Sequence, residues 1–540
     1  MLWWVVIAGC SEKARLPEAP EGLAVEAVEV RPAVVEALTG PAGGLPVAFE
    51  AWVTYAGADA PVRADVVEWS LSNLSVGAID EAGLFTPGAT NGGVSWVTAR
   101  LAGAEGQSTL TVRYRDERVE GDADPSLLEG AAFVESPLWL YPQDGVNLPR
   151  NTPSLLFQWA DPLPDLPVHT WRVRVRSAIS DVSIYTRSTE TVFDEVTWQT
   201  LAATNAGGTI TVELSGAGPG VAWAAPPREV TVNRFDARGA IYYWSTSVAG
   251  ILRTPYGESP EPYLTQAGTG RCVACHVVSS TGRMAVTFDG GNAPIGVYDM
   301  DAGAFAGPGN TAQTGNFKAF SPDGRFLLAT YQGGLFLHDG ETGDLIGAVP
   351  LAETVTMPDW SPDGTRVVLV ATDPARHSLD WSFGGGRLVV LDHLGDGQFG
   401  ALSELWAPPA GLNVFYPAWS PDGEWVAFNL SAGDSYDDPD AALYLLSGAG
   451  GSPVELAAAN LGAGLTNSWP RWGPLPDDDI LWLAFSSKRA YGAVTAGNPQ
   501  IWVTAVDPAR AAAGEDPSWP AFWLPGQEPA QNNHIPVWAE

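Results

Sequence analysis

Short alternations of apolar and polar residues, broken by glycine and proline, run through most of this chain and predict strands. Early examples are Val47-Ala-Phe-Glu-Ala-Trp-Val-Thr-Tyr55, Val67-Glu-Trp-Ser70, Trp96-Val-Thr-Ala-Arg-Leu101 and Thr109-Leu-Thr-Val-Arg-Tyr114. An acidic stretch, Asp116–Asp124, reads as a linker. Beyond it, Leu155-Leu-Phe-Gln-Trp159, Thr170-Trp-Arg-Val-Arg-Val175, Thr209-Ile-Thr-Val-Glu-Leu214 and Ile241-Tyr-Tyr-Trp-Ser-Thr-Ser-Val248 mostly alternate again. No stretch carries the apolar period of a long helix, so the fold class is all-β.

A repeat then takes over. Phe320-Ser-Pro-Asp-Gly-Arg-Phe-Leu-Leu-Ala, Trp360-Ser-Pro-Asp-Gly-Thr-Arg-Val-Val-Leu and Trp419-Ser-Pro-Asp-Gly-Glu-Trp-Val-Ala-Phe share one frame. Val278-Ser-Ser-Thr-Gly-Arg-Met-Ala-Val before them and Trp472-Gly-Pro after them are degenerate copies. A P-x-W unit recurs at Pro358-Asp-Trp360, Pro417-Ala-Trp419, Pro470-Arg-Trp472 and Pro536-Val-Trp538. The turn has a physical basis: proline presets φ, aspartate bonds the neighbouring backbone, and glycine takes the strained position. Such a turn joins two antiparallel strands, and a unit of about 40 residues with several strands is a propeller blade.

The repeat resembles the TolB-like (WD-type) β-propellers, over residues 265–540. The copies imply about six blades, with the ring closed by the His534–Trp538 strand. Upstream, Val67-Glu-Trp-Ser-Leu-Ser-Asn73 followed by Val76-Gly-Ala-Ile-Asp-Glu-Ala-Gly-Leu-Phe-Thr-Pro87 resembles bacterial Ig-like repeats of the invasin/intimin type, over residues 28–115. Residues 133–258 are similar to a fibronectin type III-like sandwich, with the Tyr-Tyr-Trp strand late in the domain. The expected architecture is two β-sandwiches followed by a roughly six-bladed propeller, and the sandwiches serve as spacers or adhesive modules.

Composition narrows the function. The chain has 62 Asp and Glu against 28 Lys and Arg, a formal net charge of −34. No local basic patch relieves it, so nucleic acid is excluded as a partner. Only three cysteines occur, Cys10, Cys272 and Cys275, too few for a disulfide framework. The apolar run Met1–Cys10 ends in Ile-Ala-Gly-Cys and is too short to cross a bilayer as a helix, which takes about 20 residues. It resembles the signal peptide and lipobox of bacterial lipoproteins, although it lacks a basic flank. That resemblance implies acylation at Cys10, residues 11–27 as a Pro- and Glu-rich tether, and membrane attachment by lipid alone in the envelope, at the outer membrane. A plain apolar N-terminus is the alternative.

Cys272-Val-Ala-Cys-His276 is the C-x-x-C-H pattern of covalent haem attachment, in which two thiols add to the vinyl groups and the next imidazole is delivered to iron. It implies one haem c, with Cys272 and Cys275 as thioether anchors and His276 as the proximal ligand. A thioredoxin-like pair would need a βαβ setting, and zinc would need two further ligands; neither is present. A cysteine pair that never receives haem remains open. The motif runs directly into a blade strand, as though grafted onto the propeller.

His534, in the closing strand, is the first choice for a distal ligand; a strand cap is the equal alternative, and Met357 is the runner-up. His169, His338, His377 and His393 read as turn or surface residues. Asp434–Asp440 and Asp477–Asp479 could offer oxygens to calcium but lack an ordered ligand loop, and read as solvated loops. No G-x-S-x-G, P-loop or H-E-x-x-H pattern occurs, so no hydrolase is indicated. The leading expectation is a monomeric envelope lipoprotein carrying haem for electron transfer or redox sensing with an envelope protein partner. The alternative is a non-catalytic scaffold binding protein or glycan, its C-x-x-C-H unused. A turnover enzyme such as a peroxidase would need an open iron position and draws nothing else from the sequence.

Overall fold

Strand follows strand from Val25 to Ala539. The computed structural model describes residues 23–135, 137–161, 170–218, 220–306, 314–474, 480–495 and 497–540. The signal segment 1–10 with Cys10, tether residues 11–22, His169 and Asp477–Asp479 lie outside the described residues.

In the first sandwich, alternation does what it predicts. Val28 and Val30, Ala51 and Val53, Val97 and Ala99, and Leu110 and Val112 are buried, and they pack with Phe49 and Phe85 into one core. The second sandwich sets Leu138–Tyr141, Leu155–Ala160 and Glu190–Phe193 against a sheet containing Thr170–Arg176, Ser180–Thr186 and Gly208–Gly218. Trp159, Trp171 and Trp198 fill it, the first two with ring centroids 5.8 Å apart. Trp198 comes from a helix, Glu195–Thr204, capped by Asp194, whose carboxylate accepts the Thr197 N–H at 2.9 Å.

The acidic stretch at 116–124 is not a free linker. Strand Ala104–Val119 runs through its start and pairs with strands of both sandwiches, joining them in an 11-stranded sheet. Arginines make this possible: Asp116 pairs with Arg118 at 3.0 Å, and Asp181 alongside with Arg174 at 2.7 Å.

Six sheets then form the ring. Blades one to five start from the inner strands Val273–Val278, Lys318–Phe320, Val355–Trp360, Asn413–Trp419 and Ser468–Trp472. Blade six takes its inner strand, Asn533–Ala539, from the C-terminus and its outer strands Ala240–Ser245, Gly250–Pro255 and Glu261–Thr265 from before blade one. Ala240 pairs with Ala539 and Tyr242 with Val537, so both ends of the ring are stitched into one sheet. This corrects the expected boundaries: the Tyr-Tyr-Trp strand belongs to the ring, which starts near 240 and not at 265. Its residues are buried almost without alternation, as a strand packed on both faces must be.

The S-P-D-G turns form as expected. In each, the serine carbonyl accepts the glycine N–H, at 2.8 Å in Ser321–Gly324 and 2.9 Å in Ser361–Gly364. Gly324, Gly364 and Gly423 have φ of 72°, 70° and 75°, the left-handed region where a side chain is strained. One tryptophan of the P-x-W unit ties blade five to blade four: Trp472 Nε1 donates to the Ala418 carbonyl at 3.0 Å.

Candidate functional site

A bulge near the start of the inner strands shapes the middle of the ring. Register shifts fall between Ala274 and Val277, Thr356 and Asp359, Phe415 and Ala418, and Ser468 and Arg471. One residue per bulge turns left-handed: Cys275 (φ 32°), Met357 (53°), Tyr416 (52°) and Trp469 (59°), with Ile535 (56°) matching in blade six. The irregularity re-aims side chains. Met357, Tyr416, Trp469 and Ile535 meet Phe317 in a buried cluster that plugs the channel, with the Tyr416 and Trp469 rings stacked 3.9 Å apart.

Above this plug lies a cavity of about 510 Å³. Blade one supplies Cys272 and Cys275, blade two Asn316 and Phe317, blade five Trp469, and blade six Trp244 and His534. Trp381 and Tyr436 complete it from insertions in blades three and four. The two insertions are bonded together: Ser382 Oγ donates to Asp434 at 2.8 Å and Ser435 Oγ to the Trp381 carbonyl at 2.9 Å. The acidic loop 434–440 is therefore an ordered part of this roof, with Asp437 paired to Lys488 at 2.6 Å. Among the described residues, no group of three or more His, Cys, Asp or Glu could hold a bare metal ion.

Asp289 fixes the cysteine segment, accepting from the Cys272 N–H at 3.1 Å and from Arg271 Nε at 2.8 Å. Both thiols are half-buried. Burial pushes each thiol upward; nearby Asp289 adds to this at Cys272, and Lys318 opposes it at Cys275. They are thus the reverse of a pair poised as reactive thiolate.

The histidines divide. His534 lines the cavity, its ring against Trp244 with centroids 4.8 Å apart, and burial lowers its pKa to about 4. His276 does not line it. The bulge at Cys275 turns the next side chain toward blade six, where His276 is 2 % exposed. Burial lowers its pKa to about 3; the Tyr242 carbonyl tempers that shift, yet neither ring nitrogen completes a hydrogen bond. Met357 belongs to the plug, outside the cavity. His338 and His393 hold backbone carbonyls at 3.0 Å through Nδ1, and His377 lies 3.3 Å from Asp380.

A haem fits this cavity in part. The volume is in the range of ligand pockets, about 300–1,000 Å³, and five aromatic side chains, Trp244, Phe317, Trp381, Tyr436 and Trp469, line it. Both thiols and one imidazole face it. Both amide atoms of Asn316 and the Trp244 Nε1 are buried without partners at its wall. The imidazole facing the cavity is His534 and not the motif's own His276. Sequence reading missed Asn316, Trp244, Trp381, Tyr436 and Trp469; the long spacing between Ser361 and Ser420 was the one sign of a roof insertion.

No protein-family model matches the chain, and no curated protein does. Among solved structures, TolB from Acinetobacter baumannii aligns at 12% identity over 79% of this chain and 96% of its own, with a TM-score of 0.38. A TolB from Agrobacterium tumefaciens aligns at 14% identity over 54% of this chain and 89% of its own, with a TM-score of 0.32. The six-bladed ring is read from its own sheets.

Proposed function

We propose that this protein is a bacterial envelope lipoprotein, anchored through Cys10, that carries one haem c in the upper cavity of its propeller for electron transfer or redox sensing. The observation that carries this reading is convergence: Cys272 and Cys275, from a C-x-x-C-H motif, open onto an aromatic cavity whose wall also bears His534. Cys272 and Cys275 would hold the porphyrin covalently, and Phe317, Trp381 and Trp469 would help exclude water from it. His534, on the cavity wall, would be the imidazole available to the iron. His276, packed against blade six with both ring nitrogens unpartnered, would have to turn into the cavity to serve as the motif's own ligand. A haem bound there supplies a one-electron couple.

The alternative of a non-catalytic scaffold with the motif unused draws on the placement of His276. One experiment separates the two. The protein is produced with a cytochrome c maturation system and extracted with acid-acetone, beside a Cys272→Ser/Cys275→Ser variant. A Soret band retained by the wild type and lost from the variant supports haem attachment; extraction of all colour from both supports the scaffold.

A further inference from the structure

The repeat shows what the ring needs at each position, and so which residues it does not need. In the P-x-W frame the blades carry His276-Val-Val278, Lys318-Ala-Phe320, Pro358-Asp-Trp360, Pro417-Ala-Trp419, Pro470-Arg-Trp472 and Pro536-Val-Trp538. Proline or a small or apolar residue serves the fold. The departures are His276, Lys318, Asp359 and Arg471, and the last three line a single pocket of about 290 Å³ at the S-P-D-G end of the channel.

These charges do not satisfy one another. Lys318 is 3 % exposed and its ammonium donates once, to the Asn316 carbonyl at 2.6 Å; among the described residues it pairs with no carboxylate. Arg471 spends Nη1 on the Pro417 and Pro470 carbonyls, at 3.3 and 3.2 Å, and its other nitrogens make no hydrogen bond among the described residues. Asp359 accepts the Trp419 N–H at 2.7 Å and feels Arg471 without forming an ion pair, the small Ala418 lying between their strands. Two cations against one carboxylate leave the pocket positive inside a chain of net charge −34. Buried charges persist where something pairs with them.

We propose that the S-P-D-G end of the channel binds a small oxyanion of single negative charge, held between the Lys318 ammonium and the Arg471 guanidinium, with Asp359 limiting the charge accepted. The site does not rest on the haem reading: its charges line the S-P-D-G end of the channel, although Lys318 also lies near Cys275. Acetate and nitrate serve as probes, titrated calorimetrically into full-length protein at pH 7.5 with chloride keeping the ionic strength constant.

Saturable binding to the wild type is expected, weakened about tenfold or more in Lys318→Met and in Arg471→Gln, and tightened about tenfold in Asp359→Asn, which removes the opposing charge. If the wild type shows no saturable heat with either probe, the proposal falls. It falls equally if Lys318→Met binds as tightly as wild type, or if Asp359→Asn binds no more tightly. A response to acetate alone assigns the guest as a carboxylate, and a response to both assigns a general oxyanion site.

Discussion

Lys318→Met is the most informative perturbation of the ring. The lysine opens the inner strand of blade two, where blades three to six have proline. Burial lowers its ammonium from 10.5 to about 8, with Cys275 opposing the shift. A lysine whose folded pKa is depressed loses stability wherever the unfolded chain binds the proton more tightly. The penalty is complete below pH 8 and fades as pH rises toward 10.5. At about 1.4 kcal/mol per pH unit it amounts to about 3 kcal/mol at pH 7 and about 1 kcal/mol at pH 10. The substitution also removes the hydrogen bond to the Asn316 carbonyl, worth about 1 kcal/mol. The net gain at pH 7 is about 2 kcal/mol, a rise of about 3 °C in the melting transition of a ring this size, with no gain at pH 10. Scanning calorimetry in a zwitterionic buffer, with chloride as the only small anion, reads both. A transition lowered at pH 7, or a gain that persists unchanged at pH 10, would refute the account of an unpaired buried ammonium.

Three further outcomes are expected. Asp359, raised from 3.8 to about 6 by burial, carries a penalty above pH 6 that vanishes below pH 4. Asp359→Asn should therefore raise the calorimetric transition at pH 7.5, by about 3 kcal/mol at most, and leave it unchanged at pH 4. Gly324→Ala adds a strained φ and drives a methyl into the Thr281 side chain, whereas Gly411→Ala (φ 94°) meets open space; the first should lower the melting temperature more than the second, whose cost is about 1 kcal/mol. Asp380, fully buried, anchors the blade-three insertion by accepting from the Gln332 and Gly333 N–H groups at 2.9 and 2.8 Å. Asp380→Ala should cost about 2–4 kcal/mol and expose residues 372–386 to limited proteolysis, with Asp380→Asn intermediate.

The turns made the ring legible. S-P-D-G states its own backbone geometry, and three copies in one frame fix strand pairing on either side, so a ring of about six blades with a closing C-terminal strand could be expected. Closure across the chain could not. That Ala240–Ser245 joins Asn533–Ala539 is a long-range pairing, and nothing local distinguishes that strand from its sandwich neighbours. The long strand Ala104–Val119 was hidden for a different reason: its acidic end looks like solvent-exposed linker until its pairing with Ser180–Thr186 and the Arg118–Asp116 ion pair are in place. At the cavity, parity was the obstacle. Adjacent residues on a strand face opposite ways, and the left-handed bulge at Cys275 decides which way His276 goes. In the repeat frame His276 aligns with Pro536, so His534 aligns with Ala274, two residues earlier. The residues were legible and their facing was not.

Mass spectrometry of the peptide spanning Cys272–His276, from protein produced with the cytochrome c maturation machinery, tests the central claim most directly. The account predicts that this peptide carries the mass of one haem attached through both cysteines. Recovery of the peptide with two unmodified thiols would contradict it.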